Sequence, residues 1–256
     1  MKNVACLLLF ALSSLFAVAN AADYEAIIDL PEPVKLSLPV SGVIKKLNAV
    51  AGQYAKQEDE LLALDSIPFQ AAKESAESRV AVQQTLLAES LRDFKNRQEL
   101  YDRTVLATVQ LENAELKLKR DKAFLKNAEA QLALAEYELS YSRLISPFNA
   151  LVLSVYVNQG QSINNSIESK TLISVVKQGH YRARFRVTSD GVNKFKIGQA
   201  VTVNYQGNSY PGSISGIVFK PGIAGKGGDS SYMIEVNFKS EKQQLSIGNK
   251  ASVSVD

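Results

Sequence analysis

Side chains that could carry out chemistry are scarce in this sequence. His180 is its only histidine, Cys6 is its only cysteine, and tryptophan is absent. General acid–base and nucleophilic catalysis need a base beside the group that it activates. His180 begins an alternating strand pattern and belongs to no recognisable constellation, which predicts a surface residue. The sequence therefore argues against an enzyme.

Metal and cofactor binding find equally little support. Met233 is the only methionine apart from Met1, and one soft ligand cannot form a metal site. Twelve of the 26 acidic residues fall in the Glu- and Lys-rich segment 68–145, where they predict solubilising ion pairs on helix surfaces. We therefore expect no metal, no cofactor and no small-molecule site.

The first 21 residues have the pattern of a secretory signal peptide. A positive start at Lys2 precedes the almost wholly apolar residues 4–18, and residues 19–21 are small enough for cleavage after Ala21. The apolar run is short for a membrane span, which needs about 20 residues. Cys6 lies within this segment. We expect an exported mature chain that has no cysteine and is held together by burial alone.

The charge balance bears on the choice of partner. The chain has 29 basic and 26 acidic residues, a formal net charge of +3. Nucleic acid would require a concentrated basic face. Nucleic acid is therefore not an expected partner.

An internal repeat joins two distant segments. Pro39 opens an apolar run that is followed by a Gly52-Gln53 turn, and Pro147 opens a similar run that is followed by Gly160-Gln161. Each copy then continues into an apolar strand. The repeat predicts two halves of one β-sandwich, 36–67 and 146–177, with about 80 residues that must leave the sandwich and return.

The intervening residues have a seven-residue period. Leucine recurs every seven positions from Leu111 to Leu139. The position three residues after each leucine is occupied in turn by Ala114, Asp121, Ala128, Ala135 and Ser142. Apolar residues at this period, with small residues between them, predict a coiled-coil seam.

A second stripe precedes the first, at Val80, Leu87, Phe94 and Tyr101. Two helices with a short link at 104–108 must run antiparallel, because both ends return to one domain. Pro68 and Pro147 mark the ends of the segment, since proline fits poorly inside a helix. The sequence predicts an α-helical coiled-coil hairpin over 68–145 that projects from the sandwich.

The remaining residues predict a small β-barrel. From Lys177 onward short alternating strands follow one another, separated by Gly- and Asn-containing turns. We expect about six strands over 178–256, joined by an N-terminal strand within 22–35, and one short helical turn at 192–195. The predicted fold class is α+β: an elongated chain with a hairpin inserted in a sandwich, followed by a barrel.

This combination resembles the periplasmic adaptors, or membrane fusion proteins, of the HlyD/RND efflux adaptor family in tripartite systems. The resemblance runs from about Asp23 to the end and rests on the split lipoyl-like domain, the inserted hairpin and the barrel motifs "FKIGQAVTV" and "LSIGNKASVSV". It implies a periplasmic protein, peripherally associated with an inner-membrane transporter, that links the transporter to a TolC-like outer-membrane channel. It also implies self-association, usually as a hexameric ring.

The resemblance further implies that the hairpin turn contacts the channel. Many such adaptors carry an Arg-Leu-Ser pattern there, but this sequence aligns Asn96 with the arginine and Ala107 with the serine, and only Leu100 matches. The candidate partner-binding residues are Arg97, Leu100, Arg103, Leu106, Ala107 and Thr108. Alternatively, Leu100 and Leu106 only close the end of the coiled coil and bind no partner. No membrane-proximal domain follows the barrel before Asp256, so we expect the transporter contact to be built differently.

Two alternatives stay open. The adaptor could serve an ABC-type or type I secretion system rather than an RND pump, or the chain could be a scaffold that uses a coiled coil only to oligomerise. A lipoyl or biotinyl carrier is disfavoured, because the helical segment replaces the hairpin that would present its lysine.

Overall fold

The computed structural model describes residues 22–165, 170–221, 231–240 and 245–255. The predicted signal peptide, 1–21, lies outside the described residues and stays a prediction. The chain forms two compact units. One contains the described residues up to Pro31 together with those from Gly179 onward, and the other spans Glu32–Gln178.

The described residues combine helices and strands, as predicted. The two long helices are α1 (Ile67–Asp102) and α2 (Thr108–Ser140), and a single 3₁₀ turn covers Val192–Lys194. The strands, in chain order, are β1 (Ala22–Asp29), β2 (Val34–Leu36), β3 (Gly42–Leu47), β4 (Tyr54–Ala55), β5 (Glu60–Leu64), β6 (Arg143–Ile145), β7 (Ala150–Val155), β8 (Ser162–Ile163), β9 (Ile173–Lys177), β10 (His180–Thr188), β11 (Ala200–Tyr205), β12 (Asn208–Lys220), β13 (Ser231–Lys239) and β14 (Lys250–Val255).

Two four-stranded sheets form the body of the second unit. Their strand orders are β2-β9-β7-β4 and β6-β5-β3-β8, and both sheets contribute buried residues to one apolar core. The two halves of the repeat exchange strands, because β4 of the first half pairs with β7 of the second, and β8 of the second pairs with β3 of the first. Neither half could therefore form its sheets without the other.

The repeated Gly-Gln turns hold the two halves together in the same way. Gly52 N donates to Val152 O at 2.8 Å, and Gly160 N donates to Ile44 O at 2.8 Å. Both glycines have a positive φ, +86° and +83°, a conformation that costs glycine little because it has no Cβ. Each turn thus bonds to the equivalent position of the other half.

The helices bury the small residues of the heptad pattern. Buried positions in α1 are Ala76, Val80 and Ser90. In α2 they are Ala114, Asp121, Ala128 and Ala135, each seven residues from the next. Pro68 lies in the first turn of α1, where its missing N–H costs no helical hydrogen bond.

Cross-helix contacts show that α1 and α2 are antiparallel. Arg79 Nη1 lies 3.1 Å from Gln131 Oε1, and further along α1 Glu89 Oε1 lies 3.9 Å from Lys117 Nζ. Higher residue numbers in α1 therefore lie next to lower residue numbers in α2, so the two helices run in opposite directions. The supercoiling that defines a coiled coil stays a prediction.

A barrel forms, as predicted, with the strand order β1-β10-β13-β12-β11-β14. Five of its six strands come from the segment 178–256, where about six were expected, and β1 is the sixth. Side chains of β10 alternate between the interior of the barrel and its outer surface. Tyr181, Ala183, Phe185 and Val187 are buried, whereas the arginines between them are not. Alternating side chains of a strand point to opposite faces, so this pattern fills the barrel with apolar groups.

Two element boundaries differ from the sequence-based expectation. The barrel strand expected within 22–35 ends at Asp29, and Val34–Leu36 instead pairs with β9 in the sandwich. Pro31 and Pro33 separate the two strands, since proline has no N–H to donate to a ladder.

The second difference is at the end of α2. The hairpin expected to continue to residue 145 ends at Ser140, seven residues before Pro147, and residues 143–145 form β6. Leu144 is buried in the sandwich core. The helix therefore ends before these residues, because they pair with β5 as strand β6.

Candidate functional site

Five residues, 103–107, connect α1 to α2, and we call this connection with the adjoining helix ends the tip. Two hydrogen bonds close the end of α1: Thr104 N donates to Tyr101 O at 2.8 Å, and Val105 N donates to Leu100 O at 3.1 Å. This pair of bonds is the Schellman motif, which satisfies carbonyl groups left without partners at a helix end. The chain thereby turns sharply away from the axis of α1.

Thr104 occupies the left-handed position of this motif. Its φ is +58°, whereas glycine is the usual residue there. A β-branched side chain in this conformation is a genuine outlier, and the left-handed region costs a non-glycine residue about 1–2 kcal/mol. The tip therefore contains local backbone strain.

The start of α2 is also weakly stabilised. Ala107 is the N-cap, with extended φ and ψ of −73° and 142°, and no side-chain cap bond forms. Alanine has no oxygen to accept from the free N–H groups of the first turn. Thr108, whose hydroxyl would suit the cap, lies one position too late and is the first residue of the helix.

Large apolar side chains are exposed around this connection. Val105 is 74% exposed, Val109 is 65% exposed, Leu100 is 42% exposed and Tyr101 is 38% exposed. Clustered exposed apolar groups mark surfaces that contact another molecule. We call Leu100, Tyr101, Val105 and Val109 the tip patch.

The structure brings most of the predicted site residues together at the tip. Leu100 and Arg103 are exposed at the end of α1, Leu106 is half-buried within the connection, and Ala107 and Thr108 begin α2. Arg97 lies further back on α1. Its Nε is 2.9 Å from Asp93 Oδ1, so its guanidinium already has a partner one turn away on its own helix.

Sequence reasoning missed four residues of the tip. Val105 and Val109 are apolar residues outside the heptad stripes, a signal that could have identified them. Tyr101 was expected to continue the buried stripe of α1, but its side chain is exposed because the buried part of α1 ends before it. The left-handed conformation of Thr104 has no sequence signal, since threonine rarely adopts it.

The tip offers exposed apolar surface for contact with another molecule. Within the ranges that the structure describes, no three His, Cys, Asp or Glu side chains come close enough to hold a metal ion. An Asp-Lys-Ala tripeptide, of the kind that lipoyl carriers present on a hairpin, does occur at 121–123. It lies inside α2 with Asp121 buried, which is not the exposed hairpin position of a carrier.

The parts of this fold match those that the resemblance to the membrane fusion proteins implies. A pair of long helices leaves and re-enters a sandwich whose halves exchange strands, and β1 together with β10–β14 forms a six-stranded barrel. No helix of the described residues has the length and apolar character needed to cross a bilayer.

Comparison with known proteins confirms the resemblance to adaptors of this class. The fold is similar to that of the membrane fusion protein Spr0693 from Streptococcus pneumoniae R6, with a TM-score of 0.67 and 16% identity over 92% of this chain and 99% of that chain. The sequence is 28% identical over 166 residues to the efflux pump periplasmic linker BepD of Brucella suis biovar 1. It is 24% identical over 154 residues to the multidrug resistance protein MdtA of Photorhabdus laumondii.

These matches differ in how much they cover. The BepD alignment includes 65% of this chain and 42% of BepD, and the MdtA alignment includes 60% of this chain and 38% of MdtA. The chain thus spans about two fifths of the length of these curated relatives. No protein-family model matches it.

Proposed function

We propose that this chain is a non-enzymatic periplasmic adaptor of a tripartite efflux system of the RND type. Within such a system it links an inner-membrane transporter to an outer-membrane channel and transports nothing itself. The names of the two relatives, an efflux pump periplasmic linker and a multidrug resistance protein, support efflux over secretion.

The observation that carries the proposal is the exposed tip patch at the end of the helix pair. Val105 and Val109 are both more than 60% exposed, with Leu100 beside them. Isolated exposed apolar residues are ordinary, but a cluster on a turn between two helices is suited to docking against an apolar groove. In this proposal the tip contacts the channel, through the tip patch together with Arg103, Leu106, Ala107 and Thr108.

The proposal also includes the association of several copies of the chain. Several copies associate, as a hexameric ring in the simplest case, and present several tips at once. Linked weak contacts of this kind bind far more tightly than one tip alone. The protein would be exported by its signal peptide and held at the inner membrane by the transporter. The helix pair would act as a coiled coil.

A test uses the native host with its chromosomal copy deleted, and ethidium as a fluorescent efflux probe. The wild-type chain should restore low ethidium accumulation, whereas a variant with Leu100→Asp and Ala107→Asp should leave accumulation at the level of the deletion strain. Two carboxylates would have to be buried against the channel, which is costly without partners.

The matched control is Gln84→Asp, an exposed position in the middle of α1. It should restore efflux fully, and immunoblots should show equal amounts of all variants. Full efflux by the Leu100→Asp, Ala107→Asp variant at normal abundance would contradict docking through the tip. A deletion strain that accumulates no more ethidium than its parent would contradict a role in efflux of this probe.

A further inference from the structure

A cavity of about 470 Å³ lies where the two helices join the sandwich. Its walls come from three adjacent strands, β3, β5 and β6, and from the ends of α1 and α2 that adjoin them. The volume is within the range of about 300–1,000 Å³ that is usual for small-molecule sites. All of the lining residues belong to the unit Glu32–Gln178, so the cavity is a feature of one compact body.

A β-bulge in β3 directs two lysines into this cavity. Successive side chains of a regular strand point to opposite faces. Between Ile44 and Lys46 the register with β5 shifts, and a bulge sets two residues of one strand opposite a single residue of its neighbour. Ile44 is buried in the sandwich core, whereas Lys45 and Lys46 both line the cavity.

The adjacent strand leaves room between cationic residues. Ala63 of β5 pairs with Lys46 of β3 on one side and with Arg143 of β6 on the other. Neighbouring strands are about 4.8 Å apart, so the backbones of the two cationic residues are separated by about 10 Å. All three residues line the cavity. The small side chain of Ala63 therefore forms a floor between two cations.

The cations retain hydrogen-bonding capacity for a ligand. Lys45 Nζ lies 3.8 Å from Asp65 Oδ2, and Arg143 Nη1 lies 3.9 Å from Glu60 Oε2. Charge-assisted hydrogen bonds are shorter, about 2.7–2.9 Å, so both pairs are loose. Lys46 takes part in no ion pair with any residue that the structure describes. The lining has three basic and two acidic side chains, so its net charge is positive.

The helices add apolar surface to the cavity. Ile67 at the start of α1 is 66% exposed, and Leu139 near the end of α2 is half-buried. Both side chains line the cavity. A hydrocarbon chain placed against them would remove apolar surface from water on both molecules, which is favourable.

We propose that this cavity binds a small organic anion, of the class that carries one carboxylate on a short hydrocarbon chain. The carboxylate accepts hydrogen bonds from Lys46 and Arg143 above Ala63, and the chain packs on Ile67 and Leu139. The positive excess selects an anion over a cation or a neutral alcohol of the same length. The site does not depend on the adaptor role proposed above.

The test titrates octanoate into the purified chain by isothermal titration calorimetry at neutral pH and low salt. No transporter or channel is present, so the outcome is independent of efflux. The matched probes are octylamine, which is cationic, and 1-octanol, which is neutral. Octanoate should bind once per chain and more tightly than either probe. Exposed apolar surfaces such as the tip patch would bind the three alkyl chains alike. Equal binding of all three, or no binding of octanoate at millimolar concentration, would overturn the proposal.

Two variants locate the bound octanoate. Ala63→Leu fills the space between the cations and should remove the binding without a change of charge. Lys46→Gln should raise the dissociation constant by at least about threefold, whereas Lys126→Gln, at an exposed position on α2, should leave it unchanged. Circular dichroism should show the same fold in all three. Wild-type affinity in the Lys46→Gln chain, or an equal loss in the Lys126→Gln chain, would contradict binding in this cavity.

Discussion

Thr104 is the residue at which stability and the proposed role of the tip conflict. Its φ of +58° belongs to the left-handed region, and it still completes both bonds of the Schellman motif. Glycine would make the same bonds without strain, because it has no Cβ to clash with the neighbouring carbonyl. A strained residue at a proposed contact suggests that the side chain is useful there.

We predict that Thr104→Gly stabilises the helix pair. Relief of the strain should raise the free energy of unfolding by about 1 kcal/mol. Urea denaturation followed by the helical circular dichroism signal would measure the difference.

The matched control makes the same substitution at Thr85, in the middle of α1. Its hydroxyl donates to Ala81 O at 3.0 Å, and its backbone is helical. Thr85→Gly should lower the free energy of unfolding by up to about 1 kcal/mol, because glycine is a poor residue inside a helix. Destabilisation by Thr104→Gly as well would show that the left-handed conformation is not strained.

At the scale of the helices, the seam between α1 and α2 depends on small residues. Ala114, Ala128 and Ala135 are buried, and Asp121 occupies the second position of the same seven-residue series at 4% exposure. The carboxylate contacts Arg120 of its own helix at 3.2 Å. A buried charge in such a series costs stability but can specify the register of two helices.

We predict that Asp121→Ala stabilises the pair by about 1 kcal/mol, since it removes the burial of a carboxylate and fits the size of the neighbouring alanines. Loss of the Arg120 contact should matter little, because that side chain is 59% exposed. Thermal unfolding followed at the helical signal would measure the gain.

The reverse exchange, Ala128→Asp, provides the comparison. It adds a second buried carboxylate to the seam and should lower the free energy of unfolding by more than about 2 kcal/mol. If Asp121→Ala instead destabilised the pair to a similar degree, Asp121 would have to make a stabilising contact across the seam.

At the scale of the whole molecule, the sandwich closes without the helices. Leu64 N donates to Ser142 O at 2.8 Å, so the chain leaves the sheet for α1 and returns from α2 at adjacent points. There β5 and β6 pair as the two strands of a hairpin would, with Leu62 opposite Leu144. The helix pair is in this sense a very long insertion between two neighbouring strands.

We predict that an Asn-Gly turn joining Asp65 directly to Ser142 leaves the sandwich folded. Such a two-residue turn suits antiparallel neighbours. The helical signal should disappear, whereas the strand signal and a cooperative thermal transition should remain.

The control adds Leu62→Asp to the shortened chain. Leu62 is fully buried in the shared core, so a carboxylate there should abolish the cooperative transition of the sandwich. Loss of the strand signal in the shortened chain itself would mean that the sandwich depends on the helices for its stability.

The broad architecture could be predicted because its signals are periodic or repeated. The leucine period indicated two helices and the alternation in β10 indicated a barrel strand, since each period follows from the geometry of one element. The Gly-Gln repeat paired two segments that are far apart in sequence. The end of α2 and the break between β1 and β2 were less predictable, because pairing with distant strands decided them.

The sequence by itself thus determined the helices, the barrel and the pairing of the two sandwich halves, because hydrophobic period and glycine turns act locally or repeat. Only the tertiary structure decided that Thr104 would take a left-handed conformation, and that Lys46 and Arg143 would flank Ala63 on adjacent strands. Those features depend on how a helix ends and on the register between strands that are distant in sequence. Neither is encoded in the residues of one segment alone.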